Sequence, residues 1–220
     1  MCFTESQSFI HTIILIIGST FIFPEYRLSA TLIFLSLKEL IQGLLYRNIR
    51  NKKSTKSLTI LSWIHICFQP LFANIFFSHF HKDFKYWNII FLICFLGGLY
   101  SMTYLEELDI QDDPNCHLIS DDDYCSPETG SYLGKYHIGY QFNLDQGWEK
   151  IRYMYYLMLI LGLFTDAKYV NMIWILSTIL TLHIFKDTKR GEVAAIWCYL
   201  SILVILPIAL LHKKIQKIIG

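Results

Sequence analysis

Apolar residues gather in runs along this chain, with polar residues in the short stretches between them. The runs cover about residues 7–23, 28–46, 57–78, 86–104, 148–165, 169–185 and 192–211. Each is near the roughly 20 residues a helix needs to cross bilayer hydrocarbon. The pattern predicts an all-α polytopic bundle of seven transmembrane spans, or six if the short fifth run does not cross. Residues 1–220 then form a single integral membrane domain. Pro24 ends the first run, and only a few residues separate it from the second, so these two are expected to form an antiparallel hairpin.

Composition agrees with this pattern. The 220 residues are 54% hydrophobic and 17% charged, with a mean hydropathy of +0.38. Soluble domains have about 45–50% apolar and about 25% charged residues. A net charge of +1 and a pI near 7.6 give no electrostatic case for a nucleic-acid partner. The expected partner is the lipid bilayer, and the basic clusters beside the apolar runs read as membrane-edge anchors. Protein partners are not legible.

The third run carries the polar residues that most need explaining: His65, Gln69, Pro70 and Asn74. A polar side chain in a spanning helix is costly, so it faces a protein interior, a cavity or a site. His65 and Gln69 are four apart and share a face, whereas Asn74 on an ideal helix points almost opposite His65. Pro70 removes a backbone donor and kinks the helix. One reading has Gln69 or Asn74 satisfying the freed Ile66 carbonyl and joining helices. The other makes His65, Gln69 and Asn74 part of a ligand, metal or proton site. In the second run Glu39 and Gln42 share a face, and Lys38 lies about 100° away. Lys38 reads as snorkelling or as paired with a neighbouring helix. Glu39 reads as part of a buried network or as a functional carboxylate. In the fourth run Gly97 and Gly98 allow close helix approach.

Residues 105–150 change character. Asp and Glu crowd this stretch together with Pro114, Pro127 and Gly130, which predicts an acidic aqueous loop between spans four and five. Its last part, 137–142, reads as interfacial or re-entrant. Cys116 and Cys125 are close enough for a disulfide. Cys116, His117, Cys125 and His137 match no standard zinc spacing, and no EF-hand pattern is present. Further on, Glu192 opens the seventh run, where it reads as a helix-terminal carboxylate matched to the macrodipole or as part of the polar core.

The first five residues lack Lys and Arg, so the first run reads as a retained span rather than a signal peptide. Basic residues at 47–56 and 186–190, with Lys150 and Arg152, favour a cytosolic N-terminus. That placement puts the cysteine-bearing loop in the cytosol and argues against its disulfide.

The chain resembles a family of small multi-pass membrane proteins of giant DNA viruses and bacteria that begin Met-Cys-(Trp or Phe)-(Ser or Thr). The resemblance rests on Met1-Cys2-Phe3-Thr4, Lys38-Glu39-Leu40-Ile41-Gln42-Gly43, His65-Ile66-Cys67-Phe68-Gln69-Pro70 and Gly191-Glu192 through Trp197-Cys198. It implies membrane architecture and adds no mechanism, because that family has no assigned activity. It draws attention to Cys2, which would carry both an amine and a thiol if Met1 were trimmed.

Three functions follow from these residues. The first is a non-catalytic interaction, sensor or scaffold protein whose polar core holds helices together. The second is a metal-assisted intramembrane hydrolase acting on lipid. In that case Glu39 would be the base or a ligand of a divalent metal, His65 a ligand, and Cys2 a third ligand if the N-terminus folds back into the bundle, while Gln69 or Asn74 would stabilise developing charge. The third is a proton-coupled carrier using Glu39 and His65.

Overall fold

The computed structural model describes residues 4–81, 84–105, 125–144, 148–164, 168–186, 188 and 190–219. Among them are eight α-helices, a short 3-10 turn at Leu161–Phe164 and a two-stranded hairpin. The helices are α1 (Glu5–Phe21), α2 (Tyr26–Asn48), α3 (Lys52–Phe80), α4 (Trp87–Met102), α5 (Trp148–Ile160), α6 (Lys168–Ile184), α7 (Arg190–Leu210) and α8 (His212–Ile219).

Local chemistry sets several of the helix ends. Thr4 accepts from the Gln7 amide, and the Gln7 side chain accepts from the Thr4 amide, closing a capping box ahead of α1. Asn51 caps α3 by accepting from Ser54 at 3.2 Å. Close approach then joins the helices. A Cβ at Gly43 would lie 3.0 Å from the Phe9 ring, and one at Gly98 would lie 2.9 Å from the Cys67 carbonyl oxygen. These two glycines let α1 pack on α2 and α4 pack on α3.

The expected count of seven spans, or six, is not what the structure supports. Among the described residues only α2, with 23 residues, and α3, with 29, are both long and apolar enough to cross a membrane. The other apolar helices are shorter among the described residues. Helices α1, α4, α5 and α6 have 17, 16, 13 and 17 residues. At 1.5 Å per residue, 17 residues reach about 26 Å against a core of about 30 Å. The fifth run ends its α-helix at Ile160 and tightens into the 3-10 turn. In α7 the apolar described segment is Leu200–Leu210.

The expectation of an all-α fold is also corrected. Strands β1 (Cys125–Leu133) and β2 (Ile138–Asn143) pair antiparallel, with Ser131 opposite Tyr140 and Leu133 opposite Ile138. Along β2, Ile138, Tyr140 and Phe142 are all buried, at the every-second spacing that places side chains on one face of a strand. The hairpin packs against α3 and α7 and fills one end of the helical body.

The buried apolar side chains form two clusters. One joins Leu15, Leu28, Leu32, Phe76, Phe77, Trp174 and Ile205 across α1, α2, α3, α6 and α7. The other joins Leu45, Trp63, Cys67, Cys94, Tyr140, Met158 and Ala195 around the hairpin. Lys38, Glu39 and Gln42 fall between the two along α2, and all three are buried. The outer faces are apolar as well: Ile13 and Ile17 of α1, Leu92 and Leu96 of α4, and Leu176 and Leu180 of α6 are all exposed.

Candidate functional site

Helix α2 presents a polar ladder to the middle of the fold. Lys38 Nζ donates to Glu39 Oε1 at 2.7 Å, and Glu39 is fully buried. The pair is therefore formed between sequence neighbours within α2, not with a neighbouring helix. Lys38 Nζ also lies 3.5 Å from the Ala195 carbonyl oxygen of α7. The second carboxylate oxygen of Glu39 lies 3.8 Å from His11 Nδ1 of α1. One turn further, Gln42 Nε2 donates to the Tyr140 hydroxyl of β2 at 2.9 Å.

The next turn of α2 reaches the hairpin bend. Tyr46 Oη lies 3.3 Å from His137 Nδ1 and accepts from the Ile138 amide at 3.2 Å. The Ile138 amide also lies 2.7 Å from His137 Nδ1, so that nitrogen is an acceptor and the imidazole proton belongs on Nε2. Burial lowers His137 from its ordinary value of 6.5 to about 2, and the Lys38 ammonium pushes the same way. His137 is a neutral imidazole.

Glu192 closes this end of the site. Its carboxylate accepts from the amides of Lys135 at 3.0 Å, of Tyr136, and of His137 at 2.8 Å. Three successive backbone donors around one carboxylate make a strong, charge-assisted junction. Gly134 is required beside it, since a Cβ there would collide with that carboxylate. Glu192 is thus the point where α7 holds the hairpin rather than a simple terminal charge. Thr59 and Ser131 add a hydroxyl pair at 2.7 Å between α3 and β1.

The polar residues in the middle of α3 make contacts of their own. His65 Nε2 lies 2.9 Å from the Phe34 carbonyl oxygen, and its ring stacks on the Phe34 ring at 3.8 Å. Gln69 Oε1 accepts from the Tyr155 hydroxyl at 2.9 Å. Asn74 Nδ2 donates to the Pro70 carbonyl at 2.7 Å and to the Met158 carbonyl at 2.8 Å. Asn74 therefore serves a carbonyl one turn back in α3 and one in α5, where Ile66 was the expected recipient.

The structure brings Glu39, Gln42 and Glu192 to the α2–α7–hairpin side. His65, Gln69 and Asn74 are spent on α2 and α5. Among the described residues no group of three His, Cys, Asp or Glu side chains gathers as a metal site. Cys2 lies outside the described residues, as do Cys116, His117 and the acidic stretch 106–124; the Cys125 side chain is also outside them. Tyr46, Tyr140 and Tyr155 are partners that the sequence reading did not single out for the site, and His137 was weighed only with Cys116, His117 and Cys125 as a zinc set. The period-two pattern Ile138, Tyr140, Phe142 could have pointed to one of them.

These features define a predominantly helical protein with a hairpin clasped by buried polar groups and two helices able to span a bilayer. Residues 16–219 match a family of unknown function (DUF5765), and the chain belongs to that family. No curated protein and no solved structure matches it.

Proposed function

We propose that this chain is a multi-pass integral membrane protein whose polar core joins its helices, and that it acts as an interaction, sensor or scaffold protein without chemistry of its own. Helices α2 and α3 cross the bilayer as an antiparallel pair, and the shorter apolar helices pack beside them. The reading is carried by an inverted distribution of side chains. Lys38, Glu39, Gln42 and Asn74 are buried, while Ile13, Leu92, Leu96, Leu176 and Leu180 are exposed. In water that arrangement would leave broad apolar faces uncovered, which soluble monomers avoid. In lipid it places costly polar groups where protein partners compensate them. The scaffold assignment is supported by how those partners are used: Lys38 with Glu39, Gln42 with Tyr140, Gln69 with Tyr155 and Glu192 with the hairpin amides.

Alkaline carbonate extraction of cells expressing the full chain tests the membrane reading. Retention in the pellet is expected, and release into the supernatant overturns it. The scaffold reading is tested by exchanging Gln42 and Tyr140 for Leu and Phe together. An apolar pair of similar shape is expected to preserve partner capture and folding, because no chemistry depends on the two polar groups.

A further inference from the structure

We infer that the end of the molecule carrying α8 is a docking surface for the anionic phospholipid headgroups of one leaflet, an inference that rests on the membrane reading above. Four contacts define this end. Glu25 lies 3.5 Å from His79, whose ring meets that of His212 edge-on at 5.3 Å. Arg27 donates to the Ser78 carbonyl at 2.7 Å, and Trp87 Nε1 donates to the His81 carbonyl at 2.6 Å. The α1–α2 turn, the end of α3, the start of α4 and the start of α8 are thereby held together.

Helix α8 is fixed on its inner side by buried His212, which lies 2.7 Å from the Ala209 carbonyl oxygen, and by Ile215, which packs on the core. Lys213, Lys214 and Lys217 are exposed. At about 100° per residue they fall within one arc of about 100°. Leu210 and Leu211, immediately before α8, are exposed apolar residues. The chain thus passes from apolar surface to a lysine cluster within one turn.

The rest of this end has the same character. Phe21, Phe23, Tyr26 and Tyr86 are exposed. The Arg27 guanidinium lies 5.6 Å from the centre of the Tyr26 ring, and Lys85 lies 4.9 Å from that of Tyr86. Aromatic rings at headgroup depth, with cations just beyond them, suit a bilayer interface. Exposed lysines next to an apolar rim select anionic headgroups over zwitterionic ones, by about fivefold for each lysine near the surface.

The test is amide hydrogen exchange of the α8 segment in the full chain, reconstituted in nanodiscs of phosphatidylcholine alone or with one third phosphatidylglycerol. Exchange several-fold slower in the anionic discs is expected. The variant Lys213→Gln/Lys214→Gln/Lys217→Gln should lose that difference, while α2 and α3 stay protected to the same extent. Equal exchange in the two discs overturns the inference, as does a difference that survives the triple substitution. Protection by soluble glycerophosphate in phosphatidylcholine discs overturns it too, since that would mark a free-phosphate site. A chain that incorporates into neither disc overturns the membrane reading, and this inference with it.

Discussion

Glu192 shows how one side chain can hold an element in place. Its carboxylate faces three amide donors at the hairpin bend, so Glu192→Gln would turn an NH2 group toward donors that need an acceptor. A buried donor left unmatched costs about 1–3 kcal/mol, and more where a charge was involved. We expect the variant to unfold at lower temperature in detergent and to exchange the amides of residues 135–137 faster, with α2 and α3 unchanged. His137 adds a pH dependence. Its folded value near 2 lies below the ordinary 6.5, so the unfolded chain binds the extra proton throughout that window. The folded state is therefore unaffected above about pH 6.5 and loses stability as pH falls toward 2, by at most about 1.4 kcal/mol per pH unit. Thermal melting across pH 4–8 should show a shallower acid-side fall for His137→Asn than for the wild type. An identical slope would show that His137 does not carry it.

At the scale of elements, α3 organises the helices through features that were partly visible beforehand. The inward-facing His65, Gln69 and Asn74 were legible, because polar groups inside an apolar run have few acceptable surroundings, whereas the helix begins at Lys52, inside the stretch expected to be a basic loop. The partners of these polar groups were not legible. Tyr155 and the Met158 carbonyl lie more than eighty residues on, and no local pattern encodes such a pairing. The span count failed for a related reason. Hydropathy reports that a run is apolar but not where its helix ends, as at Ile160, where α5 gives way to a 3-10 turn. The hairpin itself was hidden by the acidic composition around it, although Ile138, Tyr140 and Phe142 alternate as a strand does. Two substitutions test the α3 junctions by thermal unfolding. Asn74→Ala removes both of its carbonyl bonds in a buried site and should cost about 1–3 kcal/mol. Gly98→Val places a branched side chain against the Cys67 carbonyl oxygen, 2.9 Å from the nearest possible Cβ. Overpacking of that kind costs about 1–3 kcal/mol and should loosen α4 specifically.

For the whole molecule the deciding question is what the outer surface touches. Leu176 of α6 is 57% exposed and Leu96 of α4 is 54% exposed, so neither supplies core packing that a substitution would destroy. Lysine at either position therefore separates two environments cleanly. Against water, Leu176→Lys and Leu96→Lys would relieve apolar exposure and leave folding unchanged, with improved solubility. Against lipid, each adds a charge to a hydrocarbon-facing site, at about 2.5–3.5 kcal/mol near a helix centre. Carbonate-resistant yield in cells should then fall for each variant, and fall further for the double variant. Leu→Ala at the same positions supplies the comparison, since it removes similar apolar area without adding charge and should retain most of the yield. Unchanged membrane yield of both lysine variants would place these faces in water. The buried Lys38–Glu39 pair would then be an ordinary, costly ion pair in a soluble core rather than the inner side of a membrane protein.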